Sequence, residues 1–151
     1  MITIKAIDST GYSKPTQWCV PSAVAMLTGL PLREATQLLA RIRQQPYQEL
    51  EGVWLEEAVI ALNELGYRST PIDIAGRFSD TTHGPTLRRF MNNRLPQEVT
   101  NPVLIGLDGH VVVSHWGLLG DNSTEGRMVA TSRFPKPNRL VKEAFIITKG
   151  N

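Results

Sequence analysis

The candidate residues for nucleophilic chemistry in this 151-residue chain are Cys19, His110 and Asp121. Cys19 is the only cysteine, and a thiol becomes a strong nucleophile once its proton is removed. An imidazole is the side chain best suited to take that proton near neutral pH. A carboxylate can orient the imidazole and stabilise its charged form. This chemistry requires that the fold bring the three residues together.

The apolar spacing after Cys19 predicts a helix that begins at the cysteine. Pro21 suits the first helical turn, and Gly29 suits the left-handed end. The unpaired N–H groups and the macrodipole at a helix N-terminus favour an anion, and a thiolate is an anion. A lone cysteine is more often a small buried apolar residue, so the prediction of a nucleophile depends on a partner base. The residues that define the apolar face at i, i+3, i+4 and i+7 are Val20, Ala23, Val24 and Leu27.

A hairpin in the last third of the chain supplies the candidate base. Residues 108–109 are an Asp-Gly turn signal, and His110 begins the apolar run that follows them. If Val113 pairs with Leu118 around a four-residue loop, His110 lies directly opposite Asp121. Such pairs have Cβ atoms about 4.5–5.5 Å apart, which suits an imidazole–carboxylate hydrogen bond.

Other assignments of these polar residues stay open. A slip of one residue would undo the pairing, and Asn122 would then be the candidate that orients the histidine. The alternative for His110 is a solvated histidine in a turn. The alternative for Asp121 is an ordinary turn residue, because the residue types at 120–123 are typical of turns. His115 is predicted to lie in the hairpin loop and His83 in a polar loop, so both are reserve candidates for the base.

Periodicity predicts an α+β chain, with helices over about residues 18–95 and strands over about 102–148, in a single domain of residues 1–151. Helices are expected from Cys19, from Pro31, over residues 53–65 and over residues 85–91. Strands are expected at residues 2–7, 67–74 (an edge strand, because of Pro71), 103–107, 110–113, 118–121, 127–132 and 144–148.

Composition narrows the class of protein and its partners. With 41% hydrophobic and 20% charged residues the chain is typical of globular proteins, and a single cysteine excludes an internal disulfide. A net charge of +2 is too small to imply a nucleic-acid partner. No apolar run has the length of a signal peptide core or a membrane span, so we expect no membrane partner and a cytoplasmic location in a bacterium or an infected host. No metal or organic cofactor is implied, since a thiol–imidazole pair needs none.

Three stretches of the sequence resemble papain-like cysteine peptidases: WCVPSAVAMLTGLP at residues 18–31, TLRRF at 86–90 and GHVVV at 109–113. Within that superfamily the chain is most similar to small bacterial and phage members related to bacteriocin-leader peptidases. In those proteins the thiol opens a central helix, a histidine begins a strand, and Asp or Asn stands on the neighbouring strand. The resemblance implies a papain-like fold, with N-terminal helices packed on a C-terminal antiparallel sheet and Cys19 opening the central helix.

The chain departs from this pattern at the expected oxyanion donor. Papain-like enzymes usually supply a side chain, often Gln, some residues before the nucleophile. Here Gln17 is only two residues before Cys19, and Ser13 occupies the more usual distance. Gln17 is the candidate side-chain donor, with the Cys19 backbone N–H as its companion.

Together these features predict a hydrolase that cleaves a peptide or other amide bond of a peptide or protein substrate. Cys19 attacks the carbonyl as a thiolate, His110 acts as base and then acid, and Asp121 orients His110. One alternative is a non-catalytic papain-like protein of phage or mobile-element origin that binds a host or phage protein through the basic last quarter of the chain. Another is a transglutaminase-like acyl transferase, which would use the same three residues.

Overall fold

The computed structural model describes residues 2–12, 19–50, 53–135 and 137–150. Within these ranges the helices are α1 (Cys19–Thr28), α2 (Leu32–Arg43), α3 (Leu55–Glu64), α4 (Ile74–Arg77), α5 (Leu87–Asn92) and α6 (Pro96–Thr100). The strands are β1 (Tyr67–Pro71), β2 (Val103–Leu107), β3 (His110–His115), β4 (Leu118–Gly120), β5 (Val129–Ala130) and β6 (Val141–Lys149). Single 3₁₀ turns span Tyr47–Glu49 and Thr131–Arg133.

The strands form one antiparallel sheet with the order β1-β6-β2-β3-β4-β5. The structure is therefore mixed helix and sheet, which confirms the α+β class. β1 lies at an edge, as Pro71 at its end predicts. Gly109 closes the β2–β3 hairpin with φ +72°, a left-handed conformation that glycine adopts without steric cost.

Helices cover both faces of the sheet, so β2 and β3 are buried on both sides. Side chains alternate along each strand and therefore contribute to two separate cores. Leu104 and Val113 pack with α1, α2 and α3 on one face. Ile105 and Val112 pack on the other face with α5 and with Phe78. This two-sided burial holds α1 against the middle of the sheet.

The helix that begins at Cys19 is confirmed, and its interior is inaccessible to solvent and apolar apart from Ser22. Every residue from Val20 to Leu27 is buried. Gly29 follows the helix with φ +80°, in the left-handed conformation expected of a helix end. The next two helices also lie where the periodicity predicts them, although α3 is shorter than residues 53–65.

The strand predicted at residues 2–7 is wrong, because this segment pairs with a helix end and a turn instead of a sheet edge. The backbone N–H of Lys5 donates to the Met26 carbonyl at 2.9 Å, and that of Ile7 donates to the Glu125 carbonyl at 3.2 Å. The short helices α4 and α6 are absent from the predicted elements, since four or five residues are too few to establish a helical period. Among the described residues, no helix is long and apolar enough to cross a membrane.

Candidate active site

Cys19 is the first residue of α1, and its thiol is half-buried while the helix behind it is fully buried. Burial raises the pKa of the thiol. Hydrogen bonds from His110 and from the backbone N–H groups of Val111 and Cys19, together with the charge of His110, lower this pKa by more, so it lies below its ordinary value. The thiol therefore interacts with the imidazole and with the start of its own helix, as the sequence predicts for an activated cysteine.

His110 is the first residue of β3, and only 8% of it is exposed. Its Nε2 lies 2.6 Å from Oδ2 of Asp121. An ionised carboxylate can only accept, so the ring must donate its Nε2–H in this hydrogen bond. Nδ1 is then the ring nitrogen available for the thiol of Cys19, in the neutral imidazole as an acceptor.

Asp121 follows β4 directly and is 2% exposed. Its Oδ1 accepts hydrogen bonds from the Ser123 hydroxyl at 2.6 Å and from the Thr124 backbone N–H at 3.1 Å. Burial raises the pKa of Asp121, but these bonds and the one from His110 lower it overall. The carboxylate is thus held as an anion against the imidazole.

The predicted contact between His110 and Asp121 is present, but the predicted register is wrong. Val113 pairs with Gly120 instead of Leu118, because the β3–β4 loop contains two residues and not four. That loop is Trp116–Gly117, with φ values of 53° and 82°, as a type I′ turn requires. Asp121 therefore lies one residue beyond the end of β4, and its carboxylate reaches the His110 imidazole from there.

The other candidate residues lie elsewhere. Gln17 and Ser13 are outside the described residues. Asn122 sits in the turn after β4, where Asp121 and not Asn122 bonds the imidazole. His115 is the buried last residue of β3 and not a loop residue, with Nε2 3.1 Å from the Thr100 carbonyl oxygen. His83 is exposed in a loop, where its carbonyl oxygen accepts from Lys142 at 2.8 Å.

A cavity of about 610 Å³ opens beside the thiol and the imidazole. Its walls come from the start of α1, the segment leading into α3, the β2–β3 hairpin and β6. Among its lining residues, Glu56 and Glu143 were not predicted as site residues, because only the fold brings residues 56 and 143 together. Ser123 and Thr124 were also missed, although a Ser-Thr pair after Asp121 is a common turn signal.

In the described part of the chain, no group of three or more His, Cys, Asp or Glu side chains is arranged to hold a metal ion.

The arrangement can generate a thiolate beside a space large enough for a substrate. A carboxylate stabilises a protonated imidazole, and the imidazole with the helix N-terminus stabilises the sulfur anion.

Comparison of the chain with family models, curated proteins and solved structures found no match.

Proposed function

We propose that the protein is a papain-like cysteine hydrolase that cleaves a peptide or other amide bond. One observation carries the proposal: Cys19 interacts with His110, which interacts with Asp121, and the thiol and imidazole both line one cavity. Three separate elements, α1, β3 and the turn after β4, supply these residues in the order that the sequence resemblance implies.

In the proposed acylation step the thiolate of Cys19 attacks the carbonyl carbon and forms a C–S bond. The carbonyl electron pair moves to oxygen and gives a tetrahedral oxyanion. As this oxyanion collapses, the C–N bond breaks and His110 donates its proton to the departing amine. Cys19 is left as a thioester, and His110 is neutral.

Deacylation reverses the use of the imidazole. His110 takes a proton from a water molecule, and the oxygen of this water attacks the thioester carbonyl. The C–S bond then breaks, which releases a carboxylic acid and restores the thiolate and the imidazolium. Asp121 keeps its negative charge throughout and stabilises the imidazolium in both steps. The Cys19 backbone N–H and the side chain of Gln17 are the proposed oxyanion donors.

A direct test incubates the protein with p-nitrophenyl acetate and with a proteome-derived peptide library. We expect the acetyl group to transfer to Cys19 and then to be lost to water, as followed by intact-protein mass spectrometry. We also expect new peptide termini with the wild type that are absent with Cys19→Ala. Equal acetylation of the two proteins, together with identical peptide spectra, would contradict the proposal. If an added primary amine is incorporated in place of water, the protein is an acyl transferase instead of a hydrolase.

A further inference from the structure

The cavity beside Cys19 and His110 has a second, acidic side. Glu56 lies in the first turn of α3, and Glu143 lies on β6. Both line the cavity, together with Trp54, which is 68% exposed. None of these three residues takes part in the thiol–imidazole–carboxylate arrangement.

Neither carboxylate in this cavity is neutralised by a cation among the described residues. The contrast is with Glu57, which is the neighbour of Glu56 and forms an ion pair with Arg43. Lys142 also lines the cavity, but its Nζ donates to the His83 carbonyl oxygen at 2.8 Å, in a loop that lines a different cavity. Further paired carboxylates are Glu64, Asp80 and Glu98, each with an arginine.

The two carboxylates are also close enough to repel each other. Burial raises the pKa of Glu143, and the negative charge of Glu56 raises it further. A cation placed between two such groups offsets their repulsion, and its attraction compensates for the solvation that Glu143 loses by burial. The exposed indole of Trp54 at the same cavity adds an aromatic face, which attracts cations through its quadrupole.

We propose that the acidic side of this cavity binds a positively charged group of the substrate, so that the bond attacked by Cys19 lies next to a lysine or arginine side chain. This inference rests on the proposed hydrolase function, because it assigns the substrate class of the same cavity. Glu56 and Glu143 supply the charge for this selection, and Trp54 supplies a surface for the apolar stem of the side chain.

The test measures how fast Cys19 reacts with two methanethiosulfonates of similar size, one carrying a trimethylammonium group and one a sulfonate. The rates are taken at about pH 8.5, where an ordinary thiol also reacts. If the Cys19 thiol is not activated, the proposed hydrolase function fails, but the reaction rates of the two reagents can still be compared. After correction for the intrinsic reactivity of the two reagents, we expect the cationic reagent to react at least about tenfold faster with the wild type.

The matched variants are the double substitution Glu56→Gln and Glu143→Gln, and the control Glu49→Gln. Glu49 is exposed and does not line the cavity. We expect the double variant to lose most of the preference for the cationic reagent, and the control to keep it. A corrected ratio near one in the wild type, or an unchanged ratio in the double variant, would overturn the inference. Circular dichroism verifies that the variants keep the wild-type fold.

A binding experiment tests the lysine side chain itself. N-acetyl-lysine amide and N-acetyl-norleucine amide differ chiefly in the terminal ammonium group. We expect the lysine compound to slow the alkylation of Cys19 by iodoacetamide at concentrations where the norleucine compound does not. Protection should be absent in the double variant. Equal protection by both compounds in the wild type would contradict a cation-selective site.

Discussion

The Asp121 carboxylate accepts hydrogen bonds from an imidazole, a hydroxyl and a backbone N–H, which is more than its position in a turn requires. Ser123 and Thr124 hold one carboxylate oxygen, so the other points to His110. Together these donors offset the cost of burying the anion. At the scale of single residues, we expect the negative charge of Asp121 to favour the protonated form of His110 when the Cys19 thiol ionises.

The substitution Asp121→Asn tests this charge. An amide of the same shape can still accept from His110, but it cannot stabilise the imidazolium electrostatically. We therefore expect the pKa of the Cys19 thiol to rise and its alkylation by iodoacetamide at pH 6 to fall by about tenfold, as a rise of one pKa unit would produce. The control is Asp108→Asn, which is exposed in the β2–β3 turn. An unchanged rate in Asp121→Asn would show that the charge has no influence on the thiol.

The same variant changes how stability depends on pH. Burial raises the pKa of Asp121, but hydrogen bonds from His110, Ser123 and Thr124 lower it overall. A carboxyl group whose pKa is lower in the folded state stabilises the fold above its ordinary pKa of about 3.9. That stabilisation is lost as the pH falls through the folded-state value.

We therefore expect the free energy of unfolding of the wild type to fall more steeply than that of Asp121→Asn below about pH 4. Urea unfolding, followed by circular dichroism at a series of acidic pH values, measures both slopes. Parallel curves for the two proteins would contradict the lowered pKa.

At the scale of elements, an ion pair joins α2 to the start of α3 and orders the segment that carries Trp54. Glu57 accepts from Arg43 Nε at 2.9 Å and also from the Trp54 backbone N–H at 2.9 Å. The carboxylate thus links two helices and satisfies an N–H that the first turn of α3 would otherwise leave unpaired. Trp54 and Glu56 on one wall of the cavity depend on this link.

We expect Glu57→Gln to lower the free energy of unfolding by about 1–2 kcal/mol, because a half-buried charged hydrogen bond to Arg43 is lost. The control is Glu64→Gln on the same helix, whose partner Arg41 is exposed. Exposed pairs contribute little, so the control should change stability by no more than about 0.5 kcal/mol. Urea unfolding at neutral pH compares the two variants, and equal effects would show that burial of the Glu57 pair adds nothing.

Many of the helices and strands could be predicted from the sequence, and the errors in the prediction have physical causes. The helix at Cys19 was predictable because one apolar period extends from Val20 to Leu27. The predicted His110–Asp121 contact depends on a wrong length for the β3–β4 loop. Trp116 is an unusual residue for a type I′ turn, so the sequence does not indicate a two-residue loop there. The contact forms all the same, because Asp121 directly follows the end of β4 and its Oδ2 bonds the His110 ring there.

The cavity could not be predicted from the sequence in the same way. Glu56 and Glu143 are 87 positions apart in the numbering, and each stands where an ordinary exposed glutamate would also stand. Only the fold, in which Gly106 on β2 lies against both Leu55 of α3 and Glu143 of β6, brings them to the same cavity. Gln17, the candidate oxyanion donor, stays a prediction because it lies outside the described residues.

At the scale of the whole molecule, the position of Cys19 depends on how closely α1 packs against the sheet. Gly120 on β4 has no side chain, and a Cβ there would lie 2.9 Å from Met26 Cε and 2.7 Å from Met128 Sδ. The same Cβ would lie 3.0 Å from the Arg127 carbonyl oxygen, which cannot move as freely as a methionine side chain. A side chain at Gly120 would therefore crowd the Arg127 backbone and the side-chain ends of Met26 and Met128.

We expect Gly120→Val to lower the free energy of unfolding by about 1–3 kcal/mol, because the added methyl groups overpack this contact. The control is Leu118→Val on the same strand, where the side chain is partly exposed and should cost less than about 0.5 kcal/mol. The measurement is urea unfolding of the two variants and the wild type. Stability equal to that of the wild type in Gly120→Val would contradict the crowding around Gly120.

We expect the fold to couple the ionisation of the Cys19 thiol to that of the His110 imidazole. The pH dependence of iodoacetamide alkylation of Cys19, measured by mass spectrometry in the wild type and in His110→Ala, tests this coupling. A free thiol has an ordinary pKa of about 8.5. We expect Cys19 of the wild type to react well below that pH, and the variant to lose this reactivity at low pH. A single ordinary thiol titration, identical in the two proteins, would contradict the coupling of the two groups.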